Sequence, residues 1–220
     1  MLDLHNLHKG ERAFIVGSGP SLEQQADLLG GLDDEIVFSC NKLPRWEECP
    51  FQSMYHCITE PNHLDHMGRH DCPDWRDTRK FALHWSPTWH LKPVEKDGWR
   101  WIAKAPDDVQ IRYHGFQGLG DELLPFPTGY MSPLTITQLA AWMGIEQFIF
   151  LGIDMTDEGY VFTGFERRSV HPRTLKGIME CFVRANDEVS AAGREMIDCT
   201  PGGLINARGI LPYKELEEVL

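Results

Sequence analysis

The sequence predicts an α/β fold: a Rossmann-like, doubly wound, mostly parallel sheet in one domain spanning residues 1–220. Three observations predict it. Short β-rich apolar runs alternate with helical patterns along the chain. Two of those runs, AFIVG at 13–17 and QFIFLG at 147–152, are apolar almost throughout. A Gly-Ser-Gly-Pro-Ser turn follows the first run directly. Strands covered on both faces read as unbroken apolar runs, so these two are expected side by side in the middle of the sheet.

The strands are expected at Arg12–Gly17, Glu35–Cys40, Ser53–Ile58, Lys80–Trp85, Val109–His114, Gln147–Gly152 and Glu195–Cys199. Helices are expected at Ser21–Leu29, Ser132–Met143, Pro172–Ala192 and Tyr213–Val219. Ser21 with Gln24 three residues later reads as a capping box. Leu134, Ile136, Leu139, Ala140 and Met143 give the second helix an apolar stripe, and Pro133 is tolerated in its first turn. From about 61 to 127 the periodicity weakens while Trp, His and Pro crowd together, which predicts an irregular insertion. Trp75, Trp85, Trp89, Trp99 and Trp101 fit either a satellite packing cluster or a stacking platform for a sugar or base.

A hydrophobic share of 42% and a charged share of 25% are those of an ordinary folded chain. Lys+Arg of 21 against Asp+Glu of 33 leaves a net charge of -12, which opposes wrapping a phosphate backbone and excludes nucleic acid as a partner. A small phosphorylated ligand remains compatible, because a nest of backbone N–H groups binds an anion locally. No apolar run approaches the roughly 18 residues of a transmembrane span, and MLDLHNLHKGER lacks a signal peptide's apolar stretch. A cytoplasmic location is therefore expected, and self-association into a homo-oligomer stays open. The six cysteines are scattered without CxxC spacing and read as reduced and mostly buried.

The first motif that carries chemistry is Gly17-Ser18-Gly19-Pro20-Ser21-Leu22, set between a strand and a helix. Its glycines permit tight or left-handed turns, and the helix start aims N–H groups at whatever sits above the strand, which suits an anion. It is neither GxGxxG nor a P-loop, and a plain strand-to-helix turn is the alternative. Asn41, ending the second strand, either contacts a phosphate, base or sugar hydroxyl or forms an Asx turn. Asp154, after QFIFLGI, can hold a ribose hydroxyl, bind a metal with Asp157, or cap neighbouring N–H groups. Tyr160 can steady a leaving phosphate, and His171, just before a long helix, has the chemistry of a general base or merely caps that helix. His63, His66 and His70, with His56 and Cys57 upstream, match no standard zinc spacing.

Together, GSGPSL, FSCN, the Ser132–Gly144 helix, FLGIDM, Tyr160 and His171 resemble the bacterial sialyltransferases of glycosyltransferase family 42. They also resemble a wider family that includes archaeal 6-hydroxymethylpterin pyrophosphokinases and flagellar accessory proteins. The likeness covers both ends of the chain but not its middle. The first resemblance implies His171 as general base and Tyr160 on the leaving phosphate. It implies cytidine and phosphate contacts at Ser18, Gly19, Asn41 and Ser132. The expected substrate- and nucleotide-binding set is Gly17, Ser18, Gly19, Pro20, Ser21, Asn41, Glu60, Ser132, Asp154 and Thr156. Several positions depart from the family pattern: Ser18 replaces an Asn, Thr156 a second tyrosine, Glu60 an Asn, Gly129 an Arg and Pro133 a glycine. Without that Arg and Tyr the site loses groups suited to a sialyl carboxylate.

The function that follows is inverting transfer from a nucleotide-activated, CMP-sugar-like donor to an acceptor hydroxyl. No Asp-x-Asp motif is present, so no metal cofactor is expected with a monophosphate leaving group. The alternatives are magnesium-dependent pyrophosphoryl transfer, with Asp154, Asp157 and Glu60 on the metal, and a non-catalytic nucleotide-binding module.

Overall fold

The computed structural model describes residues 4–58, 78–84, 95–96, 99–103, 131–156, 159–161 and 172–220. Eight strands form one sheet: β1 Arg12–Val16, β2 Val37–Cys40, β3 Tyr55–Ile58, β4 Arg79–His84, β5 Glu95–Lys96, β6 Trp99–Ala103, β7 Gln147–Leu151 and β8 Glu195–Asp198. Their spatial order is β5-β6-β4-β3-β2-β1-β7-β8. Every pairing is parallel except β5 with β6. This is the α/β, Rossmann-like arrangement the sequence predicts.

β1 and β7 are neighbours over their full length, from Arg12 opposite Gln147 to Val16 opposite Leu151. The reason is burial on both faces. Ala13, Ile15, Phe148 and Phe150 enter one core with the Ser132–Trp142 and Pro172–Ala191 helices. Phe14, Val16, Ile149 and Leu151 enter the other, with Leu22, Leu29, Leu43 and Val219. Each strand thus alternates between two apolar layers, which a period of two dictates. All residues of the Ser132–Trp142 helix are buried, Ser132, Thr135, Thr137 and Gln138 among them, so its burial extends beyond the expected apolar stripe. The Pro172–Ala191 helix instead buries Ile178, Phe182, Ala185 and Val189 along one side, and Phe182 meets Phe150 edge-on with centroids 6.0 Å apart.

From β1 the chain moves outward through β2, β3, β4 and β6, then returns to place β7 and β8 on the other side of β1. The order therefore reverses between β1 and β7, and the crevice outside their carboxyl ends is where open α/β sheets take ligands.

Local detail departs from expectation in three places. The 61–127 stretch adds three strands to the sheet among its described residues. One had been expected over Lys80–Trp85; Glu95–Lys96 and Trp99–Ala103 had not. The expected Val109–His114 strand lies outside the described residues. The Ser21–Leu29 helix is two short helices, Ser21–Gln24 and Ala26–Leu29, broken where Gln25 takes φ −111° and its amide donates to the Cys199 carbonyl. The Tyr213–Val219 helix shrinks to a 3-10 turn at Leu216–Glu218, because Tyr213 is drawn into a β-bridge with Asp198.

Cys40, Cys49, Cys57, Cys181 and Cys199 are free thiols, as a reduced chain requires, and Cys72 lies outside the described residues. Burial pushes the Cys40 and Cys199 thiols up to about 12, which leaves them inert as nucleophiles. Among the described residues no helix is long and apolar enough to cross a membrane.

Candidate functional site

The loops after β1 and β7 close on each other at the crevice. Gly17 N–H donates to Leu151 O at 2.8 Å and Gly19 N–H to Gly152 O at 2.9 Å. Asp154, buried, accepts from Ser21 N–H at 3.0 Å and from Ser21 Oγ–H at 2.8 Å. Neither Gly17 nor Gly19 has a positive φ. Their glycine character comes from proximity: a Cβ on Gly17 would lie 2.7 Å from Ile153 Cδ1, and one on Gly19 would run into the Asp154 carboxylate. The left-handed glycine is Gly152, at φ +63°.

These contacts correct two expectations. Ser21 is not a helix cap, since its hydroxyl goes to Asp154, and the residue at the cap position is Pro20 with no side-chain bond. The N–H groups of Gly17, Gly19 and Ser21 are not turned out toward an anion, since all three are engaged within the protein. Asp154 caps the Ser21 N–H, one of the three roles read for it, with Oδ1 on Ser21 N–H and Oδ2 on the Ser21 hydroxyl.

The end of β2 is built differently. Asn41 sits at φ +53°, a conformation Asn tolerates better than most residues, with its N–H on Cys57 O. Its side-chain Nδ2 donates to Ser132 Oγ at 2.8 Å, which ties β2 to the start of the Ser132–Trp142 helix. Lys42 follows, half-buried, with Nζ 5.6 Å from the centre of the Tyr160 ring. The Tyr160 segment is anchored in turn: Val161 N–H donates to Ser18 O at 3.0 Å. Ser18, Asn41, Lys42, Ser132 and Tyr160 are thus linked around one mouth beside the β1–β7 crevice.

β8 supports the crevice from the far side. Ile153 N–H donates to Thr200 Oγ1, Thr200 N–H donates to Asp198 Oδ1, and Leu204 N–H donates to Asp154 O. Asp198 is fully buried, and its Oδ2 has no hydrogen-bond partner among the described residues. Burial raises its carboxyl to about 6, against the lowering effect of the Thr200 hydrogen bonds, and the charge of Asp154 adds to the rise.

Of the expected site residues, Gly17, Ser18, Gly19, Pro20, Ser21, Asn41, Ser132, Asp154 and Tyr160 gather at this end of the sheet. Thr156 follows on the same loop, its hydroxyl buried without a partner among the described residues. Glu60, Gly129, Asp157 and His171 lie outside the described residues. So do His63, His66 and His70. His56 is instead a core residue bonded to Ser39 Oγ at 2.8 Å, and Cys57 points to the opposite face of β3. No group of three or more His, Cys, Asp or Glu among the described residues could hold a metal ion. Lys42 and Asp198 were not foreseen. The available signal for Lys42 was its place directly after Asn41 at a strand's carboxyl end in a strongly acidic chain. For Asp198 it was the Thr200-Pro201-Gly202-Gly203 turn that follows its strand.

No protein-family model matches the chain, and no curated protein matches it in sequence. Solved structures do match it in shape. The sialyltransferase CST-II in complex with a trisaccharide acceptor and CMP gives a TM-score of 0.50 at 13% identity, over 92% of this chain and 86% of that one. The sialyltransferase CstII from Campylobacter jejuni, in complex with the substrate analogue cytidine-5'-monophosphate, gives 0.50 at 13% identity, over 93% and 85%. At such identity the likeness is one of fold, and it lends no support to the pyrophosphokinase resemblance.

Proposed function

We propose that the chain is a glycosyltransferase that moves a sugar, with inversion, from a CMP-sugar-like donor to an acceptor hydroxyl. One observation carries this reading. Asn41, Ser132, Ser18 and Tyr160 converge beside the point of strand-order reversal, in a fold similar to that of two CMP-bound sialyltransferase structures. The Asn41 amide, held on Ser132, is pre-oriented toward a polar ligand edge. Ser18 keeps the only N–H of the Gly17–Ser21 loop without a partner among the described residues. Tyr160 steadies the departing phosphate, and His171 takes the acceptor proton as general base. The departures at Gly129 and Thr156 point to a donor sugar other than sialic acid. The reaction needs no metal, because a monophosphate leaves with its charge met by protein donors. The protein works in the cytoplasm, where its thiols stay reduced.

The pyrophosphokinase alternative is weakened by Asp154, whose two oxygens both serve Ser21. Thermal-shift titration decides between them, since a ligand bound only by the native state raises its melting temperature. CMP and CMP-sugars are expected to stabilise the protein with EDTA present, and His171→Ala to lower turnover about a hundredfold with donor affinity kept. Stabilisation by ATP–magnesium alone, or full turnover in His171→Ala, overturns the proposal.

A further inference from the structure

We infer that Asp198 is a positioning residue for the crevice: acting through Thr200 it sets the turn that carries Asp154, and its state of protonation decides how strongly the crevice holds an anion, an assignment that rests on the glycosyl-transfer reading above. Asp198 closes β8 and is fully buried, as is Thr200 two residues on. Its Oδ1 accepts from Thr200 N–H at 3.0 Å, and Thr200 Oγ1 accepts from Ile153 N–H at 3.3 Å. The next residue along that turn is Asp154, whose backbone oxygen accepts from Leu204 N–H and whose carboxylate holds Ser21. A change at Asp198 therefore reaches the glycine loop through two hydrogen bonds and one turn of chain.

The charge of Asp198 is only half satisfied. Its Oδ2, buried, has no hydrogen-bond partner among the described residues. The titratable groups around it are Asp154 on the β7 loop, Cys199 beside it, and Tyr213, Lys214 and Glu215 on the segment that bridges to β8. Burial holds Cys199 and Tyr213 up to about 12, so both stay neutral, while Lys214 and Glu215 are of opposite sign. Burial and then Asp154 raise Asp198 to about 6, against the Thr200 hydrogen bonds and the Asn206 amide, so Asp198 changes charge close to neutrality. A phosphate at the crevice adds negative charge to a rim that already holds Asp154, in a chain of net charge -12, and so favours the neutral carboxyl. Anion and proton thus bind together: the affinity is full below about 6 and falls as pH rises through that value.

The test is calorimetry of CMP on the full chain across this pH range, for wild type, Asp198→Asn, Thr200→Val and Thr200→Ser. The phosphate of CMP titrates in the same range, so affinities are compared between proteins at each pH. The ratio of Asp198→Asn to wild-type affinity is expected to rise about threefold or more from about pH 5.5 to about pH 8, because the amide stays neutral throughout. Wild type is expected to take up more protons on binding than Asp198→Asn, which buffers of different ionisation enthalpy reveal. Thr200→Val removes a hydrogen bond that favours the ionised carboxyl, so its fall in affinity is expected at higher pH, and Thr200→Ser is expected to restore the wild-type profile. A ratio for Asp198→Asn that is constant with pH overturns the assignment and leaves the glycosyl-transfer reading standing. A Thr200→Val profile identical to wild type also overturns it, since Asp198 then acts without Thr200. Should Thr200→Val fail to fold, the Asp198→Asn ratio and the Thr200→Ser profile decide. A wild-type protein that binds no CMP at any of these pH values overturns both readings.

Discussion

The rim of β1 and β7 and the rim of β2 lie side by side at one end of the sheet, yet they dispose of their polar groups in opposite ways. At β1–β7 the amides of Gly17, Gly19 and Ser21 are bonded to Leu151 O, Gly152 O and the Asp154 carboxylate, and glycine is required because two loops touch. At β2 the Asn41 amide meets the Ser132 hydroxyl, and the Lys42 ammonium meets the face of the Tyr160 ring. The glycine signature therefore reports on how closely the two loops pack, and the proposed function puts the ligand chemistry one strand away. Buried polar groups that are hydrogen-bonded to each other contribute to stability, and the proposed function gives the side chains at the β2 rim the work of recognition.

The sharpest way to break this contrast is Gly19→Ala. The added methyl meets the Asp154 carboxylate and must displace it from Ser21. Denaturant unfolding should show a loss of about 3 kcal/mol or more, the scale of overpacking joined to a broken buried hydrogen bond. A fully stable Gly19→Ala would mean that the two loops are not locked together.

Asp198→Asn sharpens the β1–β7 side through its pH dependence. The folded carboxyl titrates at about 6, above its ordinary 3.8, so the folded state holds the proton more tightly than the unfolded chain. The contribution of this group is fully present below about 3.8 and is lost as pH rises through about 6. By pH 7.5 the ionised carboxylate costs on the order of 2 to 3 kcal/mol. The Asn variant should melt higher than wild type at pH 7.5, with the difference shrinking or reversing at pH 4. An equal offset at both values would show that Asp198 does not titrate in this range.

The smallest effect belongs to the β2 rim. Asn41→Gly keeps a residue content with φ +53°, so stability should change by about 0.5 kcal/mol or less. CMP affinity should fall about tenfold, because the amide and its grip on Ser132 are gone. If instead Asn41→Gly unfolds easily and binds CMP normally, the β2 rim is structural and the contrast fails.

Much of the fold could be read from local pattern. Ala13–Val16 and Gln147–Leu151 announced themselves as central strands, since burial on both faces leaves an unbroken apolar record, and Ser132–Trp142 showed as a helix through its apolar stripe, though its burial on every side did not. What escaped reading was decided by partners far off in sequence. Ser21 has the spelling of a capping box, yet its hydroxyl goes to Asp154, 133 positions away. Gln25 breaks a helix to reach Cys199. Trp99–Ala103 carries Arg100 as its second residue and lies in a Trp- and His-dense stretch, so no long apolar run marks it as a strand. The candidate site divides in the same way. Asn41, Ser132 and Tyr160 were named from strand-end position and resemblance, whereas Lys42 needed the Tyr160 ring in space to give it meaning.

The pairing of β1 with β7 also has a consequence in time. As the chain leaves the ribosome, β1 emerges well before the strand that covers one of its edges, which comes only after residue 146. Until then, a run reading Ala-Phe-Ile-Val carries unpaired backbone groups along that edge, a template on which another nascent copy can add. Contacts this distant in sequence close slowly. The yield of active protein should therefore fall at high synthesis rates and recover with slower translation or a chaperone that shields the early half.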